Sequence, residues 1–561
     1  MSGTQADGFE AFARSWRAYV LVALIALASA TFGSFSAPVM DRDEARFAQA
    51  TRQMVESGDY VRIRLQQAER SKKPVGIYWL QAAAVNALRP LTHSTNTIWT
   101  YRIPSALGAL LAALAALWAG RRLLGPRAAL LGAAMFAASI LMGVEAMTAK
   151  TDAALAGVTT LAMAALAHLY AGAQRPRLLA LLFWTAMGAG VLIKGPVTPL
   201  VAFLTLITIG VWEGRWRWMK PLVWWPGPLL MLAIVAPWLI AINQATEGRF
   251  FAEAIGRDLG GKISGDSEHH SGWPGYHLIV LLIALFPATF ALPFAARLGW
   301  RTLRAPRAEE GMRGLRFLLA WAIPSFVAFE ILPTKLPHYT LPLYPAIALL
   351  AGAGLLAAAE QRWRMAKWIG VAFTLLAGLV FVAAFAGARE FFAPGAEVLG
   401  YGLMAGAAFA ALIAVVAAIF VRSTTLRVVA GVVCALGVSC MLREVALPRA
   451  QGVQLTSQIV DQLDRSGLGS RPIWVVGYGE ASLVFMTRTD INIGTAADAI
   501  VGLHAGDTLI VDEEQRAETE VGLRRRGLEF APQTPDVRGH NLGNSHDLTL
   551  SIGVVRPIAR D

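Results

Sequence analysis

Runs of about twenty apolar residues recur along most of the chain, separated by short loops that hold most of the charge. A helix rising 1.5 Å per residue needs that length to cross the hydrocarbon core of a bilayer. The pattern predicts thirteen spans, at 17–38, 102–120, 128–145, 152–171, 178–194, 196–212, 222–243, 276–297, 316–333, 339–357, 366–388, 398–421 and 425–443. The fifth and sixth meet at Lys194-Gly195-Pro196 and can also be read as one broken helix. The first follows Arg14 and Arg17 and runs into a charged segment with no small-residue cleavage pattern. It is therefore read as a retained helix, not a signal peptide.

Between the first two spans, residues 39–100 are too polar to cross. Ala45, Phe47, Ala48, Met54 and Val55 space one face of an amphipathic helix over 43–57, and 73–88 reads as a second helix lying at the membrane surface. Residues 244–275, rich in Gly, Ser and His, read as a loop. From about 450 the pattern changes. Pro472 to Val476, Thr508 to Val511 and Leu548 to Val555 read as strands, and Glu513 to Arg526 as a helix, which predicts a small α/β domain. Gly477-Tyr478-Gly479 follows the first of these strands. Ser482 stands where the third glycine of a dinucleotide turn belongs, so a plain strand-to-helix turn is the better reading. Two domains result: 1–445 in lipid, with surface helices in 39–100, and 446–561 in water.

Composition agrees with a membrane chain: 55% of the 561 residues are hydrophobic, only 16% are charged, and mean hydropathy is +0.50. The net charge of +12 sits largely in loops between spans, where it fits topology and anionic lipid and not nucleic acid. With the N-terminus inside, the six inner loops carry 19 Lys and Arg and the five short outer loops carry seven. That asymmetry places the C-terminus outside. The two cysteines, Cys434 and Cys440, lie in an apolar run and read as inert core residues.

Charged groups at membrane depth are costly and mark functional sites by default. Five sets fall on the outer side: Asp41 to Arg46, Lys72-Lys73, Lys150-Thr151-Asp152, Lys194, and Lys335 to Tyr339 with His338. Carboxylates ringed by cations suit transfer of a group from a phosphate. The cations hold the departing anion, and a carboxylate accepts the proton of an incoming hydroxyl. Each residue also has a plainer role. Asp43-Glu44 and Asp152 suit helix N-termini, the lysines can snorkel to headgroups, and His269-His270 can be ordinary loop residues.

Asp43-Glu44-Ala45-Arg46-Phe47-Ala48, then Ser57-Gly58-Asp59-Tyr60, then Lys73-Pro74 with Tyr78-Trp79, resembles the aminoarabinose transferase family, which groups with protein mannosyltransferase-like GT-C enzymes. Thr151-Asp152, Lys194-Gly195, His270 to Tyr276 and Lys335 to Tyr339 extend the likeness over most of 40–345. The resemblance implies a polytopic α-helical GT-C fold of about thirteen transmembrane helices with a C-terminal periplasmic α/β domain. It implies a bacterial inner-membrane glycosyltransferase whose periplasmic site moves a sugar from polyprenyl phosphate to a lipid or saccharide acceptor such as lipid A. Asp43 and Asp152 would be the catalytic acids. Glu44, Arg46, Lys72, Lys73, Lys194, Lys335, His338 and Tyr339 would hold the carrier phosphate and sugar. His270 matches a position linked to a divalent metal (Mg, Mn or Zn). Lys72 departs from the family's glutamate, which helps hold that ion, and Phe47 stands where a tyrosine is common. A transporter or flippase for an anionic lipid would use similar parts, as would a ligase with a larger saccharide donor. Transporters commonly pair broken helices in two halves, and only one break is evident here.

Overall fold

The computed structural model describes residues 3–261, 272–361, 363–393 and 395–558. Among them, nine helices are long and apolar enough to cross a membrane, or up to eleven if each of two bent pairs is one span. The first bent pair is α1 (Gly3–Arg14) and α2 (Arg17–Thr31), at 73°. After the surface helices α3 (Asp43–Ser57) and α4 (Gly76–Thr92) comes the long α5 (Ile98–Leu124). The second bent pair is α6 (Pro126–Ala137) and α7 (Ile140–Ala146), at 56°. Next come α8 (Asp152–Tyr170), α9 (Pro176–Lys194), the shorter α10 (Val197–Glu213) and α11 (Pro226–Ala245). Five further spans follow between Glu310 and Arg449.

Two segments depart from the hydrophobic pattern. The expected span 276–297 is interrupted: helix Tyr276–Ala284 stops before Pro287, and a new helix runs from Leu292 to Arg304. Pro287 has no N–H to continue the first helix, and Pro293 favours the first turn of the second. The expected loop 244–275 is helical from Arg249 to Leu259. Phe250 drives this, being buried edge-on against Trp238 of α11.

Close packing places the site. α5 and α8 meet at Gly108, where a Cβ would fall 2.5 Å from the Cα of Ala154. Small residues let the two backbones touch, the usual basis of helix association in lipid. The start of α4 presses likewise on the end of α9, since a Cβ on Gly76 would lie 2.7 Å from the Leu192 backbone. The beginnings of α4 and α8 and the end of α9 thereby converge.

A two-stranded ribbon, β1 (Arg64–Leu65) and β2 (Ala68–Glu69), joins α3 to α4. The other strands form one mixed sheet near the C-terminus: β3 (Ile473–Val476), β4 (Asn492–Gly494), β5 (Thr508–Asp512), β6 (Leu528–Pro532), β7 (Val537–Asn541) and β8 (His546–Pro557). Their order is β4-β3-β5-β8-β6, with β7 also paired to β8. β3 runs parallel to β4 and β5, while β8 is antiparallel to its partners. Alternation along β5 sends Leu509 and Val511 into one apolar layer and Ile510 into the other. Both faces are covered, so the strand reads as a continuous apolar run. This unit rests on α3 and the ribbon. Arg52 donates to the Phe485 carbonyl (2.7 Å), Gln66 donates to the Ile491 carbonyl (2.7 Å), and Phe485 packs edge-on against Tyr101.

Candidate active site

Asp152 is the first residue of α8 and Lys194 the last of α9, so neighbouring helices bring the two groups together. The Lys194 ammonium donates to Asp152 Oδ1 and lies 5.5 Å from the centre of the Tyr339 ring. Glu145, on the last turn of α7, takes Lys150 at 2.9 Å, and Lys150 is 4.0 Å from Asp152 Oδ2. His338 stands between the acids, with Nε2 3.7 Å from Asp152 and Nδ1 3.8 Å from Glu145. Ser105 of α5 holds the intervening turn by donating to the Thr148 and Lys150 carbonyls. Burial favours loss of the Lys150 proton, but Glu145 and Asp152 outweigh it and push the lysine pKa above its ordinary value. Lys150 is thus a fixed cation.

A cavity of about 300 Å³ adjoins this cluster. One end is lined by Lys72, Lys73, Asp152, Lys194, His338 and Tyr339, the remainder mainly by Leu155, Val191, Leu200, Leu239, Phe251 and Phe329. The polar end offers several ammonium groups to an anion. The apolar remainder suits a hydrocarbon chain attached to it.

Asp43 sits on the exposed first turn of α3, within electrostatic reach of Lys150 and of Tyr78. Among the described residues its exposed carboxylate makes no hydrogen bond or ion pair. Arg70 lies over Phe47 and donates to the Tyr78 hydroxyl (3.3 Å) on the same side.

Two expected ligand-binding residues point elsewhere. Glu44 is buried in a bidentate pair with Arg102 and also accepts from the Met40 and Ala149 N–H groups, so its carboxylate is fully used inside the protein. Lys335 is buried and donates to the Leu332 carbonyl (3.0 Å) at the end of its preceding helix, outside the cavity lining. A cation at a helix C-terminus satisfies a carbonyl that the helix leaves open. Arg46 is half-buried on α3 and does not line the cavity. Asp152 does not cap its own helix; Thr151 holds the N-cap position without a side-chain capping bond, and Asp152 faces the cations. Glu145 and Arg102 are absent from the sets that the sequence marks, and Lys150 enters them only beside Thr151 and Asp152. The one signal for Glu145 is an acid closing an apolar run; for Arg102 it is a base opening one.

His270 lies outside the described residues. The donor atoms of Glu145, Asp152 and His338 lie within 4.8 Å of one another, close enough in principle for an ion. Both carboxylates, however, already hold lysine ammonium groups, which a divalent cation would have to displace. With Lys72 in place of the carboxylate, these residues do not fit a resident metal, and no step below depends on one.

Residues 72–240 match the family model for dolichyl-phosphate-mannose-protein mannosyltransferases. The undecaprenyl phosphate-alpha-4-amino-4-deoxy-L-arabinose arabinosyl transferase of Edwardsiella ictaluri is 31% identical over 323 residues, covering 55% of this chain and 54% of that protein. The Pseudomonas aeruginosa protein of the same description is 30% identical over 342 residues, covering 59% and 57%. The chain thus spans rather more than half the length of the curated relatives it matches. The crystal structure of ArnT from Cupriavidus metallidurans bound to undecaprenyl phosphate matches 97% of this chain and 98% of its own, at 21% identity and a TM-score of 0.73. In fold, the chain resembles ArnT over nearly its whole length, as a polytopic helical membrane protein.

Proposed function

We propose that this protein is a glycosyltransferase that takes a sugar from a polyprenyl phosphate and places it on a lipid or saccharide acceptor of the lipid A type. The observation that carries the reading is the cavity whose lysine-lined end opens into an apolar groove, with the exposed Asp43 carboxylate within electrostatic reach of Lys150 in the adjoining cluster. The arabinosyl transferase relatives and the undecaprenyl phosphate-bound structural neighbour support the same donor chemistry. The bias of basic residues toward the opposite end of the bundle supports a periplasmic site in the bacterial inner membrane.

The carrier phosphate lies among Lys72, Lys73 and Lys194, and its tail runs along the groove. Binding energy from the tail positions the sugar without touching the reacting carbon. An acceptor oxygen attacks the anomeric carbon from the face opposite the phosphate. The bond from that carbon to the phosphate oxygen breaks, and the electron pair leaves with polyprenyl phosphate, inverting the centre. Asp43 accepts the proton of an attacking hydroxyl, or orients an acceptor phosphate that brings none. Asp152 fixes Lys194 over the departing oxygen, and Lys150 keeps the acid cluster electrically balanced, supplying neutralisation that a metal gives elsewhere.

The test is transfer in nanodiscs from a panel of polyprenyl-phosphate sugars to lipid extracted from a bacterial envelope, wild type against Asp43→Asn. The expected outcome is transfer of one sugar and a loss of about 10²–10⁴-fold in a folded variant. No transfer from any carrier, with lipid still moved across a bilayer by the pure protein, would replace this reading with transport.

A further inference from the structure

The turn that presents Asp43 is held from two directions. On the membrane side, Glu44 is locked to Arg102. On the other side lies the C-terminal unit. Between them Arg42 adopts φ 65° and ψ −108°, a backbone conformation that residues with a Cβ rarely take. Such a conformation persists only where its surroundings impose it.

The contact on the far side is built from hydroxyls. Tyr478 Oη lies 2.7 Å from Thr456 Oγ1, which lies 2.6 Å from Ser482 Oγ, and all three side chains are buried. Ser482 lies in the first turn of the short helix Ala481–Met486, which packs on α3, and its hydroxyl stands beside the Asp41 carboxylate, whose buried Oδ1 has no hydrogen-bond partner among the described residues. Each hydroxyl has one proton, so a chain in which each donates to the next must end on a group that accepts. The order Tyr478, Thr456, Ser482, Asp41 meets that condition, because an ionised carboxylate only accepts. Asp41 is two residues from Asp43, with Arg42 nearest the bend.

The place of this contact in the sheet matters. β3 is flanked by β4 on one side and β5 on the other, both parallel to it. In such sheets the crevice beyond the strand ends, where the order reverses, is the customary ligand position. Here the loop leaving β3, Gly477 to Glu480, and the start of the helix Ala481–Met486 lie against Asp41 of the membrane unit. Gly477 (φ 86°) allows the loop to turn tightly there, since a Cβ would meet Asp512 at 2.5 Å.

We infer that the C-terminal unit positions the reacting turn: Ser482 holds Asp41, and through it fixes the Arg42 bend and the aim of Asp43. Asp41 and Ser482 are positioning residues and touch neither substrate. The inference rests on Asp43 being the reacting carboxylate.

The experiment compares kcat and donor KM for wild type, Ser482→Ala, Asp41→Ala, Asp41→Asn and Asp43→Asn in nanodiscs, with amide hydrogen exchange over residues 38–46. Ser482→Ala and Asp41→Ala should lower kcat by about ten- to a hundredfold with donor KM within about twofold, and speed exchange in that segment. Asp41→Asn keeps an acceptor oxygen for Ser482 and should recover most of the rate lost in Asp41→Ala. Wild-type kcat in both alanine variants, with Asp43→Asn inactive, overturns the positioning role and leaves the proposed reaction standing. An active Asp43→Asn overturns the assignment of Asp43 and this inference with it. Should Ser482→Ala fail to fold, the Asp41 pair decides by the same rule.

Discussion

Arg102 and Glu44 form a bidentate ion pair with both contacts at 2.9 Å, the side chains 1% and 0% exposed. The remaining donors of Arg102 go to the carbonyls of Gly33, Ser34, Ala37 and Pro38. The other capacity of Glu44 goes to the N–H groups of Met40 and Ala149. Every lone pair that matters is matched, which is the condition under which a buried ion pair is tolerated.

Breaking this pair from one side strands a buried charge. Arg102→Ala or Glu44→Ala should therefore destabilise the protein by about 3–5 kcal/mol. Arg102→Lys should not rescue it, because an ammonium cannot reproduce the planar fork. Thermal unfolding in detergent, followed by size exclusion, reads the effect. A normal Tm in Glu44→Ala would return Glu44 to the list of substrate ligands.

Lys194 and Asp152 act on one another, so their removals should not add. Lys194→Met is expected to raise donor KM by about tenfold, equivalent to about 1.4 kcal/mol. In Asp152→Asn the lysine loses its anchor. A double-mutant cycle should give a coupling of about 0.5–3 kcal/mol. Strict additivity would mean that the pair does not act as a unit on the donor.

Asp41 carries a pH signature. Burial, with the charge of Glu480 adding to it and the neighbouring Ser482 hydroxyl opposing it, pushes its carboxyl up to about 6. Tyr478 and Glu480 are the titratable groups of the C-terminal unit that face it. A raised carboxyl favours the protonated form in the folded state. Its contribution is thus fully present below about pH 4 and is lost as pH rises through about 6. Across that window the loss is of order 2–3 kcal/mol. Asp41→Asn should remove the step, so the variant should melt higher than wild type at pH 7.5 and alike at pH 4. Parallel Tm curves from pH 4 to 8 would count against it.

Chelation should leave the rate within about twofold, because lysines already balance Glu145 and Asp152. A rate abolished by EDTA and restored by zinc or manganese would place an ion in the cluster.

The sequence marks which residues sit at the site end of the helices but not where each one points. Lys194 was legible because apolar residues flank it on both sides. Asp152 and Lys73 were legible from helix ends. Glu44 and Lys335 share that end of the bundle, yet both are turned to protein groups, Glu44 to Arg102 and the Ala149 N–H and Lys335 to the Leu332 carbonyl. Direction depends on helix rotation, which apolar runs without clear periodicity leave unmarked. The Asp41–Ser482 contact joins residues more than four hundred positions apart and has no local pattern. The four expected spans that do not stand as long single helices share a cause: Pro, Gly or polar residues break the backbone ladder while overall hydropathy stays high.

The ties on the reacting turn also have an order in time. Arg102, Glu44 and the Ala149 N–H all lie in the first 149 residues, so the inner clamp can close while most of the chain is still on the ribosome. Ser482 emerges more than three hundred residues later. On the proposed positioning, a nascent chain holds a formed but unaimed acid turn throughout insertion, until its last hundred residues have folded.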